Sequence, residues 1–225
     1  MKLSIIIPSF NEAATLLLAI ARVKKVNLGN TVKEIIVVDD GSTDGTRGKL
    51  KKITGITKVM LSKNQGKGAA IRAGLQKATG SYVLIQDADL EYDPEDIPAL
   101  LTPVLNGQAK VVYGSRFTGP HRNMLFWHLM GNKLLSFVTN LLFNTTISDM
   151  EVGYKLIPTK LLKSLKLESN RFGFEPEVTC KLLNKGLRIY EVPISYSGRE
   201  FHEGKKITWK DGVQALWLVL KYRFQ

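Results

Sequence analysis

The sequence predicts an α/β fold with a mostly parallel central sheet covered by helices on both faces. In the first half of the chain, short apolar runs rich in β-branched and aromatic residues alternate with segments of helical length. This alternation is typical of parallel strands joined by crossover helices. The unusual polar residues follow the ends of the apolar runs, where α/β proteins bind their ligands.

Five apolar runs predict buried strands, and the segments between them predict helices. The strands are expected at 2–7, 34–38, 58–61, 82–85 and 110–113. The helices are expected at 12–25, 44–53, 68–78 and 94–105, the last with Pro94 in its first turn, where proline is tolerated. In the second half, segments 124–143 and 209–224 carry apolar residues at helical spacing.

Length and composition favour one cytosolic domain with an anionic partner. A chain of 225 residues is long enough for one substantial core, so we expect a single domain over 1–225. The net charge of +12 favours nucleotides, phosphorylated lipids, an acidic membrane surface or nucleic acid. Cys180 is the one cysteine, which excludes an internal disulfide and fits a reducing compartment. The apolar run before Pro8 is too short for a signal peptide.

The most informative residues are Asp87, Asp89 and Glu91, which follow the apolar run 82–85 at intervals of two. At the carboxyl end of a buried strand, this spacing gathers hard oxygen ligands around one point and suits a divalent cation that holds a diphosphate. An acidic turn after a strand is also common in proteins without any ligand, so this motif alone leaves both interpretations open.

The other strand ends carry residues that suit a nucleotide. Asp39 and Asp40 could accept hydrogen bonds from ribose hydroxyls or a base edge, although turn and capping roles are the more common ones for such residues taken alone. Lys67 lies in a glycine-rich turn that opens a helix and could steady a phosphate. The turn is not a P-loop, because Gly68 follows Lys67 where a serine or threonine belongs.

Taken together in order, these motifs resemble those of family 2 glycosyltransferases. They are Ile6-Ile7-Pro8-Ser9-Phe10-Asn11-Glu12, Val37-Val38-Asp39-Asp40-Gly41-Ser42, Asn64 with Gly66-Lys67-Gly68, Asp87-Ala88-Asp89-Leu90 and Gly114-Ser115-Arg116. The similarity continues through Ser148-Asp149-Met150, Phe172-Gly173-Phe174-Glu175 and Gly204-Lys205-Lys206-Ile207. Within the family, the chain is most similar to dolichyl-phosphate mannose and glucose synthases and their bacterial polyprenyl-phosphate relatives.

The resemblance implies a glycosyltransferase A-type fold, a nucleotide-sugar donor and a divalent metal, Mg²⁺ or Mn²⁺. Residues 1–115 would form the nucleotide-sugar-binding half, and 116–225 the acceptor-binding half. The implied donor-binding residues are Pro8, Phe10, Glu12, Asp39, Lys67, Asp87 and Ala88, and the implied metal ligands are Asp87, Asp89 and Glu91. Glu91 stands where the mannose-synthase pattern often has glutamine, and either side chain offers an oxygen.

For the acceptor, the resemblance implies a polyprenyl phosphate held by Arg116, Arg199 and Lys205. A second phosphate-binding arginine of the family aligns with Asn132, for which Lys133, Arg122 or His121 would compensate. Asp89, Arg116 and Asp149 are the expected catalytic residues.

The expected mechanism is one direct displacement that inverts the anomeric carbon. A lipid phosphomonoester is mostly dianionic near neutral pH and needs no general base. A metal on the leaving diphosphate would neutralise its growing charge. If the acceptor is instead a hydroxyl of a glycan or lipid, Asp149 would be the natural base.

The two amphipathic segments favour a peripheral enzyme on the cytosolic face of a membrane. Segment 124–143 is interrupted by Asn132 and Lys133, which are costly in hydrocarbon, so we expect an amphipathic helix and not a membrane span. Segment 209–224 combines apolar residues with Lys210, Lys221 and Arg223, as helices in a lipid interface do. Both segments could equally pack on the sheet or in a homodimer.

No membrane helix is expected after Gln225, so anchoring would rest on the lipid substrate, charge attraction or an integral membrane partner. A basic module that binds nucleic acid would explain the charge. It gives no reason for three carboxylates at one strand end, and the aromatic and basic interleaving of single-strand binders is missing, so we expect no nucleic-acid partner.

Overall fold

The computed structural model describes residues 1–122, 124–199 and 209–225. Its strands are β1 (Lys2–Ser9), β2 (Val32–Asp39), β3 (Thr57–Met60), β4 (Tyr82–Ile85), β5 (Val112–Ser115), β6 (Lys155–Pro158) and β7 (Tyr190–Pro193). Its helices are α1 (Leu16–Lys25), α2 (Thr46–Lys51), α3 (Lys67–Lys77), α4 (Ile97–Leu105), α5 (Phe126–Phe143), α6 (Thr159–Ser164), α7 (Phe174–Asn184) and α8 (Trp209–Phe224). Every strand and helix expected from the sequence is present, with ends shifted by a few residues.

The strands form one seven-stranded sheet in the order β3-β2-β1-β4-β6-β5-β7. Strands β3, β2, β1 and β4 pair in parallel, β6 is antiparallel to both of its neighbours, and β7 is parallel to β5. Because β6 reverses direction between them, β4 and β5 run the same way. The carboxyl ends of β1, β2, β4 and β5 therefore meet at one edge, and this edge collects the sequence motifs.

The sheet is buried on both faces, as the sequence predicts. Successive side chains of a strand point to opposite faces, and the consecutive β1 residues Ser4, Ile5, Ile6 and Ile7 all have no exposed surface. Helix α3 packs closely on this region: a Cβ atom added at Gly74 would lie 2.7 Å from Ile6 Cγ2 and 3.0 Å from Val38 Cγ2. A glycine is therefore needed there for the helix to lie against β1 and β2.

Helices α5 and α8 contact each other beside the sheet and enclose a second small core. That core includes Leu135, Met150, Cys180, Leu218 and Val219. The opposite sides of both helices remain exposed, in rows that comprise Trp127, Leu134, Phe137 and Leu141 on α5, and Trp209, Val213, Trp217 and Phe224 on α8. Among the helices described, none combines the length and apolar character that crossing a bilayer requires.

The Gly74 contact predicts opposite effects for two Gly→Ala substitutions in helices. Gly74→Ala should lower the free energy of unfolding by about 1–3 kcal/mol, because Ile6 and Val38 must move to accept the methyl group. Gly48→Ala in α2 meets no atom within 4 Å and should raise stability by about 0.5–1 kcal/mol. Urea denaturation of both variants measures the difference, and equal effects would contradict the packing described.

Candidate active site

A cleft of about 780 Å³ opens at the carboxyl edge of the sheet and has two chemically different parts. Its charged end is lined by Glu12, Lys67, Asp87, Asp89, Glu91, Arg116, Glu175 and Arg199. Its mainly apolar channel is lined by Leu125, Trp127, Leu134 and Leu135 of the α5 region and by Val213 and Leu216 of α8, with His128 and Asp211 also present in the lining. The cleft can therefore accommodate a ligand that is anionic at one end and apolar at the other.

Lys67 holds two carboxylates together at the charged end. Its Nζ atom lies 2.8 Å from Asp87 Oδ1 and 2.9 Å from Glu175 Oε1. Burial would lower the pKa of the Lys67 ammonium, but Asp87 and Glu175 outweigh this effect and raise that pKa well above its usual value. The second oxygen of Glu175 is buried without a hydrogen-bond partner in the described part of the chain.

Arg199 holds the other carboxylates of the charged end. Its Nη2 atom lies 3.0 Å from Asp89 Oδ2, its Nε atom 3.3 Å from Glu91 Oε1, and its Nη1 atom 3.5 Å from Glu12 Oε2. Burial, followed by the negative charges of Asp87 and Glu91, raises the pKa of Asp89 to about 7, against the opposing effect of Arg199. The carboxylates are thus crowded beyond what the nearby cations neutralise.

Asp87, Asp89 and Glu91 have the right donor chemistry for a hard divalent cation, and their crowding favours one. In this arrangement, however, the described residues contain no group of three or more His, Cys, Asp and Glu side chains positioned to hold a metal ion. Asp87 faces Lys67, while Asp89 and Glu91 face Arg199. The side chains that sequence reasoning assigned to a metal are therefore close together and paired with cations of the protein.

Arg116 and Asp149 form a buried ion pair between the charged end and helix α5. Arg116 Nε donates to Asp149 Oδ2 at 2.7 Å, Nη2 donates to Asp149 Oδ1 at 2.6 Å, and the Arg116 backbone N–H donates to Oδ2 at 3.1 Å. Asp149 has no exposed surface. Arg116 Nη2 also lies 3.4 Å from the amide oxygen of Asn132 on α5. Asp149 therefore fixes the orientation of Arg116.

Most of the residues predicted to bind donor, metal or acceptor lie in the cleft. Pro8, Phe10 and Ala88 line it beside the charged residues already described. Asp39 is buried outside the lining, with Oδ2 bound by Arg47 at 2.7 Å and no hydrogen-bond partner for Oδ1 among the described residues. Lys205 lies outside the described residues.

The three residues suggested as substitutes for the missing second arginine occupy different places. Lys133 lies over the Phe117 ring at 4.3 Å and does not line the cleft. His121 Nδ1 lies 2.8 Å from the Gly119 carbonyl oxygen. Arg122 does line the cleft, although Asn132 itself is the side chain that reaches Arg116.

The structure also brings in residues to which sequence reasoning gave no role. Glu175 could have been noticed in Phe172-Gly173-Phe174-Glu175, and Glu151 repeats with Asp149 the spacing of Asp87 and Asp89. Tyr196 gave no sequence signal, yet its hydroxyl donates to Glu91 Oε2 at 2.9 Å. Asp40, which the sequence suggested for a ribose hydroxyl or a base edge or for a turn, accepts from the backbone N–H groups of Gln65 and Gly66, both at 2.8 Å, and so fixes the turn before Lys67.

The fold and the charged cleft are those of a glycosyltransferase A-type protein. Residues 4–166 match Glycosyl transferase family 2, and the chain belongs to that family.

The chain is similar in sequence to Glycosyltransferase AglJ of Haloferax volcanii, with 28% identity over 87% of this chain and 63% of the length of AglJ. Dolichol-phosphate mannosyltransferase of Pyrococcus furiosus is 28% identical over 91% of this chain and 59% of its own. The low-salt glycan biosynthesis hexosyltransferase Agl6 of Haloferax volcanii is 29% identical over 88% of this chain and 48% of its own length. The chain thus spans about half to two thirds of the length of these relatives.

Among solved structures, glucosyl-3-phosphoglycerate synthase of Mycobacterium tuberculosis superimposes with a TM-score of 0.75. That match covers 99% of this chain and 78% of the other at 23% identity, and the solved complex contains Mn²⁺, uridine diphosphate and phosphoglyceric acid. Another complex of the same synthase contains Mg²⁺ and uridine diphosphate, again with a TM-score of 0.75. These matches support the fold described above.

Loss of the Asp149 charge should destabilise the protein because it leaves the Arg116 guanidinium buried without a counter-charge. Asp149→Asn should lower the free energy of unfolding by about 3 kcal/mol. The exposed Glu95→Gln should change it by less than about 0.5 kcal/mol. In urea denaturation, the double variant Arg116→Met with Asp149→Leu should lose less free energy of unfolding than the losses of Arg116→Met and Asp149→Leu added together. Strictly additive losses would contradict the pairing.

Proposed function

We propose that the chain transfers a hexose from a nucleotide sugar of the GDP-mannose or UDP-glucose type to a polyprenyl or dolichyl phosphate. The observation that carries this proposal is the position of Arg116 at the junction of the two parts of the cleft. It belongs to the charged end, and it reaches Asn132 on the helix whose Leu134 and Leu135 line the apolar channel. A lipid phosphate could place its phosphate group at Arg116 in the charged end of the cleft and its lipid tail in the apolar channel.

Membership of glycosyl transferase family 2 supports the donor class, and the charged end offers groups that suit it. Lys67 would face the diphosphate, and Pro8, Phe10 and Glu12 would contact the base and ribose. Asp39 would act from beside the cleft through Oδ1, which has no hydrogen-bond partner in the part of the chain that the structure describes. We assign 1–115 mainly to the donor and 116–225 mainly to the acceptor, although Glu175 and Arg199 from the second part also reach the donor end.

Asp87, Asp89 and Glu91 are the side chains that would hold Mg²⁺ or Mn²⁺. When bound, such an ion supplies positive charge that stabilises the departing nucleoside diphosphate. The crowding of their carboxylates supports this assignment, as does the presence of Mn²⁺ or Mg²⁺ in the solved synthase complexes.

The acceptor phosphate is proposed to attack the anomeric carbon directly, with inversion of its configuration. A phosphomonoester has a second pKa near 6, so it is mostly dianionic at pH 7 and needs no proton removed. Arg116 would hold it in line with the sugar. Both oxygens of Asp149 are engaged by Arg116, which favours a positioning role for Asp149 over the role of base that a hydroxyl acceptor would require.

We further propose that the protein works at the cytosolic face of a membrane, bound peripherally. The exposed rows of α5 and α8 include Trp127 and Trp209, which are 81% and 76% exposed and also lie at the lining of the cleft. Aromatic side chains and a basic net charge suit an anionic lipid interface.

A donor and acceptor panel tests the proposed reaction. Radiolabelled GDP-mannose and UDP-glucose are each incubated with Mn²⁺ or Mg²⁺ and undecaprenyl or dolichyl phosphate, and organic-extractable label is counted. We expect label with the lipid phosphate, none with the matched lipid alcohol, and none in the presence of EDTA. Labelling of the alcohol or of a soluble glycan in place of the lipid phosphate would contradict the acceptor class.

In the same assay, Arg116→Ala should lower kcat/KM for the lipid phosphate by about a hundredfold or more, because a charge-assisted bidentate contact is lost. Arg116→Lys should retain part of the rate, since lysine keeps the charge without the planar fork. A mild effect of Arg116→Ala together with complete loss in Asp149→Asn would favour a hydroxyl acceptor.

Binding to vesicles tests the membrane proposal. The double variant Trp127→Glu with Phe137→Glu should float much less with vesicles that contain phosphatidylglycerol, because both side chains lie in the exposed α5 row. Leu18→Glu, on the exposed side of α1, serves as the control and should float like the unchanged protein. Equal loss in both variants, or equal retention, would oppose a lipid-binding role for this row.

A further inference from the structure

Arg199 occupies the oxygens that a divalent cation would need. Asp89 Oδ1 accepts from the Glu91 backbone N–H at 3.1 Å, and Glu91 Oε2 accepts from the Tyr196 hydroxyl at 2.9 Å. The remaining oxygens, Asp89 Oδ2 and Glu91 Oε1, both face Arg199 at 3.0 and 3.3 Å. One oxygen of each carboxylate is thus tied to the fold, and the other is tied to the guanidinium.

A divalent ion bound to these oxygens would be repelled by a guanidinium in the position that Arg199 now occupies. Arg199 remains charged at any physiological pH, so it cannot yield by losing a proton. A doubly charged ion within about 4 Å of a guanidinium is strongly repelled in a partly buried site. Arg199 is 19% exposed in its side chain, and its third carboxylate partner, Glu12, lies at 3.5 Å. The side chain therefore has an anionic contact outside the Asp89 and Glu91 pair and can change partners.

We propose that Arg199 is an exchangeable counter-ion of the carboxylate cluster, which a divalent cation displaces from Asp89 and Glu91. The exchange keeps the crowded carboxylates partly neutralised before the metal arrives. It also explains why they are close together without forming a ready-made metal site among the described residues.

The exchange has a consequence for the order of binding, which rests on the proposed function. The Tyr196 ring lies 5.3 Å from the guanidinium carbon of Arg116, and the Tyr196 hydroxyl binds Glu91, one of the carboxylates held by Arg199. Tyr196 thus connects Arg116 to the carboxylates that Arg199 holds, and a displaced Arg199 would become free for the anionic phosphate of the acceptor. Metal and donor would load first, and the acceptor phosphate would gain its second arginine only afterwards.

Titration with Mn²⁺ alone, without donor or acceptor, tests the exchange. Calorimetry or the electron paramagnetic resonance of free Mn²⁺ gives the dissociation constant of the purified protein. Arg199→Ala should bind Mn²⁺ roughly tenfold more tightly, because the ion no longer has to break charge-assisted hydrogen bonds. The Mn²⁺ affinity of Arg199→Lys should lie between those of the unchanged protein and Arg199→Ala, since one ammonium group can hold only part of the carboxylate cluster.

Arg171→Ala is the matched control because it removes an equal charge from the same cleft lining. Its Mn²⁺ affinity should rise far less. Unchanged or weaker binding by Arg199→Ala, or an equal rise in Arg171→Ala, would overturn the proposal.

If Arg199→Ala folds poorly by circular dichroism, Arg199→Gln replaces it. In the unchanged protein, the NMR chemical shift of the Arg199 Nε–H group should change when Mg²⁺ is added. An unchanged chemical shift would overturn the proposed exchange. Because neither substrate is present, a wrong acceptor class leaves these results intact.

Discussion

The constraint on which this protein depends is the accumulation of carboxylates at one edge of its sheet. Parallel strands end at the same edge, and loops after β1 and β4 deliver Glu12, Asp87, Asp89 and Glu91 there, while α7 adds Glu175. Like charges in a partly buried cleft are tolerated only when cations accompany them. Lys67 and Arg199 fulfil that need from distant parts of the chain, so the same charges that organise the cleft also connect its two halves.

Arg116 and Arg199 are both paired with carboxylates, but the two arginines are held in different ways. The Arg116 and Asp149 pair is buried, bidentate and shielded by Tyr196, so it holds one guanidinium in a fixed direction. Arg199, in contrast, is spread over three carboxylates at longer distances. A fixed arginine suits the positioning of a reacting group, and a loosely held one suits exchange. This difference in geometry separates the roles proposed for two residues of identical chemistry.

The lining of the cleft joins polar chemistry to an apolar surface. Helices α5 and α8 pack on each other through Leu135, Leu218 and Val219, yet both leave rows of aromatic and aliphatic side chains exposed. Trp127, Leu134 and Val213 of these rows also line the channel, together with the less exposed Leu135 and Leu216. A lipid interface would cover the exposed rows and at the same time supply a ligand with a phosphate head and an apolar tail. The proposed substrate class and the proposed location therefore follow from one arrangement.

The sequence by itself determined the alternating strands and helices, the edge at which the motifs meet, and most of the charged residues in the cleft, although not Glu151, Arg171, Glu175 or Asp211. These features depend on local periodicity and on residues adjacent to strand ends. The tertiary structure alone decided that β6 enters between β4 and β5, that Arg199 pairs with Asp89 and Glu91, and that Asp149 holds Arg116. Asp89 and Arg199 are 110 residues apart, and no local pattern encodes which of several cations reaches a given carboxylate. That choice is made only when the chain has packed.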